Sequence, residues 1–186
     1  MISRLAISIL ALLSAGPVPK TEAVYEIYVS NERAGTVTVL DGNSHQPLAT
    51  LAVGSRPRGI NASADGRRVY VALSDDRPES EGKGDAIAEI DTHTRRVIAR
   101  YAAGSDPEQF AISSDRRFLY SSNEDAGTAT ITDLQSRQRV ATLIVGIEPE
   151  GVAISPDGRW VYVTAETSNS VSVIDTRTRK VISHFM

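Results

Sequence analysis

One segment recurs four times along this chain, and its spacing decides what the chain can fold into. Tyr28-Val29-Ser30-Asn31-Glu32 leads through a short loop to Thr36–Asp41 (TVTVLD). Tyr70-Val71-Ala72-Leu73-Ser74-Asp75 leads to Ala86–Asp91 (AIAEID), and Tyr120-Ser121-Ser122-Asn123-Glu124 to Thr128–Asp133 (TATITD). Tyr162-Val163-Thr164-Ala165-Glu166 leads to Ser170–Asp175 (SVSVID). The tyrosines stand about 42, 50 and 42 residues apart, in the range of a propeller blade. One insertion, Arg77 to Gly84, accounts for the long step.

Two more signatures share this period. Arg56-Pro57-Arg58 aligns with Asp106-Pro107-Glu108 and Glu148-Pro149-Glu150. Ser63-Ala64-Asp65-Gly66 aligns with Ser113-Ser114-Asp115-Arg116 and Ser155-Pro156-Asp157-Gly158. Asp-Gly between alternating apolar runs is a hairpin turn, because Gly accepts the positive φ that the turn needs. Each unit therefore reads as four short antiparallel strands. In the last unit these are expected near Gly151–Ser155, Trp160–Thr164, Ser170–Asp175 and Lys180–Phe185. Alternation along Val161 and Val163 and along Val171 and Val173 puts apolar side chains on one face, and a four-stranded blade has two faces and cannot bury both alone. Blades must therefore stack around an axis.

The expected architecture is an all-β propeller of about 3.75 four-stranded blades. Residues 24–53 form a partial blade, and 54–103, 104–145 and 146–186 form complete ones. Residues 1–23 read as a secretory signal peptide: Arg4 precedes the apolar run Leu5–Ala15, and Thr21-Glu22-Ala23 offers small residues at a cleavage site. The alternative is an uncleaved anchor. Export predicts a periplasmic protein, with no membrane contact once the leader is cut. The chain has no cysteine, so its stability rests on packing and strand pairing. A net charge of -3 with no basic, aromatic-laced patch argues against nucleic acid as partner.

Within a blade, the loop entering the first strand and the loop between the second and third share one end of the propeller. The candidate binding residues are therefore Arg56, Arg58, Asp106, Glu108, Asn123, Glu124, Glu148 and Glu150. Their charges differ from blade to blade, so the shared fold does not dictate them. Several carboxylates at one mouth could hold a hard cation through oxygen ligands. Charged surface loops with no ligand are the plainer reading. His45, His93 and His184 are not expected to converge, and a His/Cys zinc cluster is excluded. No nucleophile elbow or phosphate loop is present. No catalytic residue and no cofactor is expected.

Tyr162-Val163-Thr164 followed by Val173-Ile174-Asp175-Thr176 resembles the signature of the YVTN family of β-propeller repeat proteins. Arg56-Pro57-Arg58-Gly59, Asp106-Pro107-Glu108, Asn123-Glu124-Asp125 and Glu148-Pro149-Glu150-Gly151 look like the exported propellers associated with PQQ-dependent alcohol catabolism. That resemblance implies a non-catalytic periplasmic scaffold, with a quinoprotein dehydrogenase or a small molecule as partner. Such proteins also look distantly like the haem d1 propeller of cytochrome cd1 nitrite reductase. The resemblance implies about seven blades, more than this sequence carries. Truncation, completion of the ring by further copies, and a four-blade ring remain alternatives. A lactonase-like hydrolase using a divalent cation at the acidic mouth is the alternative function.

Overall fold

The computed structural model describes residues 25–75 and 84–186. The proposed signal peptide lies outside these residues, as does the inserted loop apart from Gly84. The described chain is a succession of four antiparallel meanders. The first sheet holds β1 (Glu26–Asn31), β2 (Thr36–Asp41) and β3 (Pro47–Ala52). The second holds β4 (Pro57–Ala62), β5 (Arg68–Leu73), β6 (Ala86–Asp91) and β7 (Arg96–Ala102). The third holds β8 (Pro107–Ile112), β9 (Phe118–Asn123), β10 (Thr128–Asp133) and β11 (Gln138–Ile144). The fourth holds β12 (Pro149–Ile154), β13 (Trp160–Ala165), β14 (Ser170–Asp175) and β15 (Lys180–Phe185). These are propeller blades, three of four strands and one of three. β12 begins at Pro149, ahead of the expected Gly151, because a bulge pairs Pro149 with Ala165.

The turns explain why the repeat is so legible. At each β4–β5-type hairpin a serine hydroxyl donates to an aspartate two residues on: Ser63 to Asp65 (2.6 Å), Ser113 to Asp115 (2.5 Å), Ser155 to Asp157 (2.5 Å). The same carboxylates accept the amides of Arg67, Arg117 and Arg159. At the outer hairpins Asp41, Asp133 and Asp175 each accept two backbone amides, and Asp91 accepts that of Thr94. These bonds favour the ionised form and hold all of these carboxyls below their usual range. Serine and aspartate are here turn chemistry.

The core lies between blades. Tyr28, Val37 and Leu51 of the first sheet meet Val69, Val71, Leu73 and Ile90 of the second. Tyr70, Ile87 and Tyr101 meet Phe110 and Leu119. Tyr120, Ala129 and Ile131 meet Val161, Val163 and Ile174. Each sheet thus has a forward face, carrying the repeat tyrosine, and a rear face, which from the second sheet on packs against the blade before it. In β5 and β9 every residue after the first is buried, because both faces are covered. Burial of one large apolar side chain contributes roughly 1.5–3 kcal/mol, so these three seams dominate the fold's stability.

Two glycines separate backbone conformation from crowding. Gly158 has φ +70° with open space around it, and Gly127 has φ +63° with the Gly146 carbonyl oxygen 2.7 Å from where a Cβ would sit. Gly158→Ala is expected to cost about 1 kcal/mol, the left-handed backbone alone. Gly127→Ala adds a clash with main chain and costs more. Paired urea melts check the order; equal losses would contradict it.

Candidate functional site

The mouth at the entry to the innermost strands is built on strained backbone. Arg56, Asp106 and Glu148, each preceding a proline, have φ of 38°, 49° and 54°. This left-handed conformation is unfavourable for residues with a Cβ. In each case it aims the carbonyl at the neighbouring loop of the same blade. Ser74, Glu124 and Glu166 donate their amides to Arg56, Asp106 and Glu148 at 3.4, 3.0 and 2.8 Å. The side chains at these positions are thereby held at the rim.

The second and third blades lock together there by charge. Arg56 lies 3.4 Å from Glu32 and 3.3 Å from Asp106. Arg58 lies 3.6 Å from Glu32, 3.8 Å from Asp106 and 3.9 Å from Glu124, and is in close contact with Glu108. Three blades thus share two guanidinium groups. One carboxylate oxygen each from Asp106, Glu108 and Glu124 lies within 4.8 Å of the others, a spacing that could hold a metal ion. Arg58 already reaches all three, so the positive charge at this point is the chain's own.

Glu108 is pushed up to about 8, first by burial and then by the hydrogen bond it shares with Glu124; Arg58 opposes the shift. Glu108 therefore keeps its proton at neutral pH. The fourth blade has no such arginine. Glu150 is raised by desolvation and by repulsion from Glu166 and Glu124. Glu148 accepts a hydrogen bond from Thr167. Among the eight residues chosen from sequence, Arg56, Arg58, Asp106, Glu108 and Glu124 meet in one cluster, while Glu148 and Glu150 lie on the neighbouring acidic rim.

Asn123 does not face the mouth. It is fully buried, donating to Thr128 Oγ1 (3.1 Å) and Thr130 Oγ1 (2.8 Å) and accepting from the Gly104 amide (2.8 Å). Asn31 makes the same pair of bonds to Thr36 and Thr38. The recurrence of Asn with two threonines was the available signal that this residue braces the blade.

A second feature lies at the opposite end of the inner strands, and sequence reading missed it. A cleft of about 530 Å³ opens between β4, β8 and β12, with Ile112, Val152 and Ile154 as apolar wall and Asp65 and Arg116 at its edge. Arg116 is tied to Asp65 at 3.1 Å and to the Tyr70 hydroxyl. Apolar inner-strand residues read as core in the sequence, so nothing marked them as a cleft.

Four-stranded meanders stacked through their sheet faces define a β-propeller domain. Residues 81–185 match the cytochrome D1 heme domain family. The chain belongs to that family. It is similar in structure to the hydrazine synthase of Kuenenia stuttgartiensis (20% identity, TM-score 0.73), covering 91% of this chain and 52% of that one. It is also similar to a functionally unknown protein from Desulfotomaculum acetoxidans DSM 771 (14% identity, TM-score 0.70), covering 86% and 52%. The chain spans about half the length of each, and these likenesses concern the fold. No curated protein matches the sequence.

The family's name implies a haem, and the described residues do not fit one. No histidine, cysteine or methionine lines the cleft between the inner strands. His45 and His93 are exposed in outer hairpin turns. His184 lies on outermost strand β15, with Nδ1 2.8 Å from Ser172 Oγ. None of the three lines the cleft between the inner strands.

Two expectations follow. Arg58→Ala should destabilise the protein by about 2 kcal/mol, less than the 3–5 typical of a fully buried pair because the cluster is partly wet; chemical denaturation measures it. Glu108 keeps its proton to about pH 8 when folded, whereas an unfolded glutamate loses it near 4.3. The folded state holds more protons between those values, so Glu108 makes stability fall as pH rises through that window. Denaturation of Glu108→Gln at pH 5 and pH 8 should show a smaller fall than the parent.

Proposed function

We propose that this chain is a non-catalytic, exported binding scaffold whose mouth docks a protein partner, within a PQQ-dependent alcohol oxidation system. The observation that carries the reading is the division of charge at the mouth. On one side, carboxylates and arginines of three blades satisfy one another and fix the frame. On the other, Glu150 and Glu166 crowd together with no arginine at the aligned positions. A rigid frame beside an unbalanced acidic rim suits recognition of a basic surface. The quinoprotein link and the periplasmic location rest on the resemblance of the Pro-centred loops and on the leader. A lactonase-like, metal-dependent hydrolase is disfavoured because Arg58 stands among the carboxylates that would bind the ion.

The test is binding of the full chain to the quinoprotein alcohol dehydrogenase of the same organism, by surface plasmon resonance. Salt-sensitive binding, weakened about tenfold in Glu150→Gln/Glu166→Gln, is expected. No binding, or calcium-dependent turnover of a lactone by the purified chain, would overturn the reading.

A further inference from the structure

The four aligned copies of the Tyr-Val segment differ in one respect that their sequences do not explain. The forward-face tyrosine is 3% exposed at Tyr70 and 2% at Tyr120, but 37% at Tyr162. The rear-face residue is wholly buried at Val71, Ser121 and Val163, but 41% exposed at Val29. The first and last sheets therefore each present one uncovered face. These faces are complementary in kind: wherever a forward face is covered in this molecule, a rear face covers it. The uncovered forward face of the fourth sheet also carries Phe185, 57% exposed and paired with Val171.

A second series points the same way. The last residue of each outer hairpin turn, His45, Arg95, Arg137 and Arg179, is left-handed, with φ between 53° and 59°. Arg95 reaches back to Glu26, the first residue of β1 in the preceding sheet, at 2.6 Å. Arg179 does the same to Phe118, its guanidinium 4.9 Å from the ring. The register places Glu26 opposite Asp41, Arg68 opposite Asp91, Phe118 opposite Asp133 and Trp160 opposite Asp175, so Trp160 is the next member of that series. The turn residue left to meet it is His45.

We propose that the occupant of the fourth sheet's forward face is the first sheet of a second copy of this chain, docked head to tail. The contact continues the existing seams with the same face, the same tyrosine and the same turn residue. Two reciprocal contacts close a ring of eight sheets, within the range of known propellers. Reciprocal use of two different surfaces is heterologous association closed by a two-fold axis.

Sedimentation of the full chain should give twice the chain mass at about 100 μM and dissociate on dilution. The sole tryptophan reports the same event, because Trp160 emission should change with concentration and the change should shrink in His45→Ala. Tyr162→Asp and Val29→Asp, both at exposed positions, should each be monomeric. Their equimolar mixture restores one of the two contacts, since one retains the head and the other the tail, and should show more dimer than either variant alone. Phe185→Ser, tested alongside, should be monomeric, and its thermal melt should match that of the parent at dilutions where the parent is also monomeric, which separates lost docking from lost folding. A monomeric parent at the same concentration would overturn the proposal. So would a dimer broken by Tyr162→Asp and untouched by Val29→Asp, which is tail-to-tail pairing, or a mixture that stays monomeric.

Discussion

A four-stranded sheet of alternating residues has two faces to cover and no means of covering both itself. Everything else in this molecule follows from that constraint. The cores are seams between sheets, so the stability of each blade belongs jointly to it and its neighbours. Polar bonds follow the same lines. Ser30 donates to the Arg58 carbonyl of the next blade at 2.8 Å, and Ser122 to that of Glu150 at 2.9 Å. Thr132 and Ser172 reach back to carbonyls closing the preceding blade, at 2.7 and 2.6 Å. The apolar seam brings the sheets together, and these bonds fix their height relative to one another.

Charge at the mouth is a consequence of that stacking. Arg58 reaches Glu32 on one side and Glu108 on the other because its blade stands between theirs. The buried polar group Glu89 obeys similar logic. It sits on a forward face where the aligned positions are Val39, Ile131 and Val173, and it is held by Arg68 at 2.9 Å and by the Tyr101 hydroxyl. A buried carboxylate is tolerable there because an arginine and a hydroxyl arrive with it. At the fourth blade no such partner arrives, and the acidic rim remains.

The repeat made the blades readable from sequence because local chemistry repeats with them: Ser-X-Asp at one hairpin, Asp with two amides at the other. Strand identity, order and faces all follow from local signals. Side-chain direction did not. Asn123 and Glu124 are adjacent in sequence, yet one braces the strand from inside while the other joins the mouth. Arg58 read as a candidate ligand contact, and in the structure it neutralises the next blade. That relation joins residues about 50 positions apart and depends on the angle between sheets, which no local pattern encodes. The cleft between the inner strands was invisible for a related reason. Ile112, Val152 and Ile154 carry the same signature as core residues, and only the curvature of the arc leaves space beside them.

The left-handed residues before Pro57, Pro107 and Pro149 have a consequence of another kind. Their conformation is held by a main-chain carbonyl bond, which does not depend on the side chain. Arginine, aspartate and glutamate all occupy the position with nearly the same backbone. Side-chain identity and the local turn are thereby uncoupled at these three points. Each blade offers a slot whose side chain can change while its own backbone turn stays as it is; that freedom is greatest at Glu148, because Arg56 and Asp106 also carry the charge pairing that joins the second and third blades.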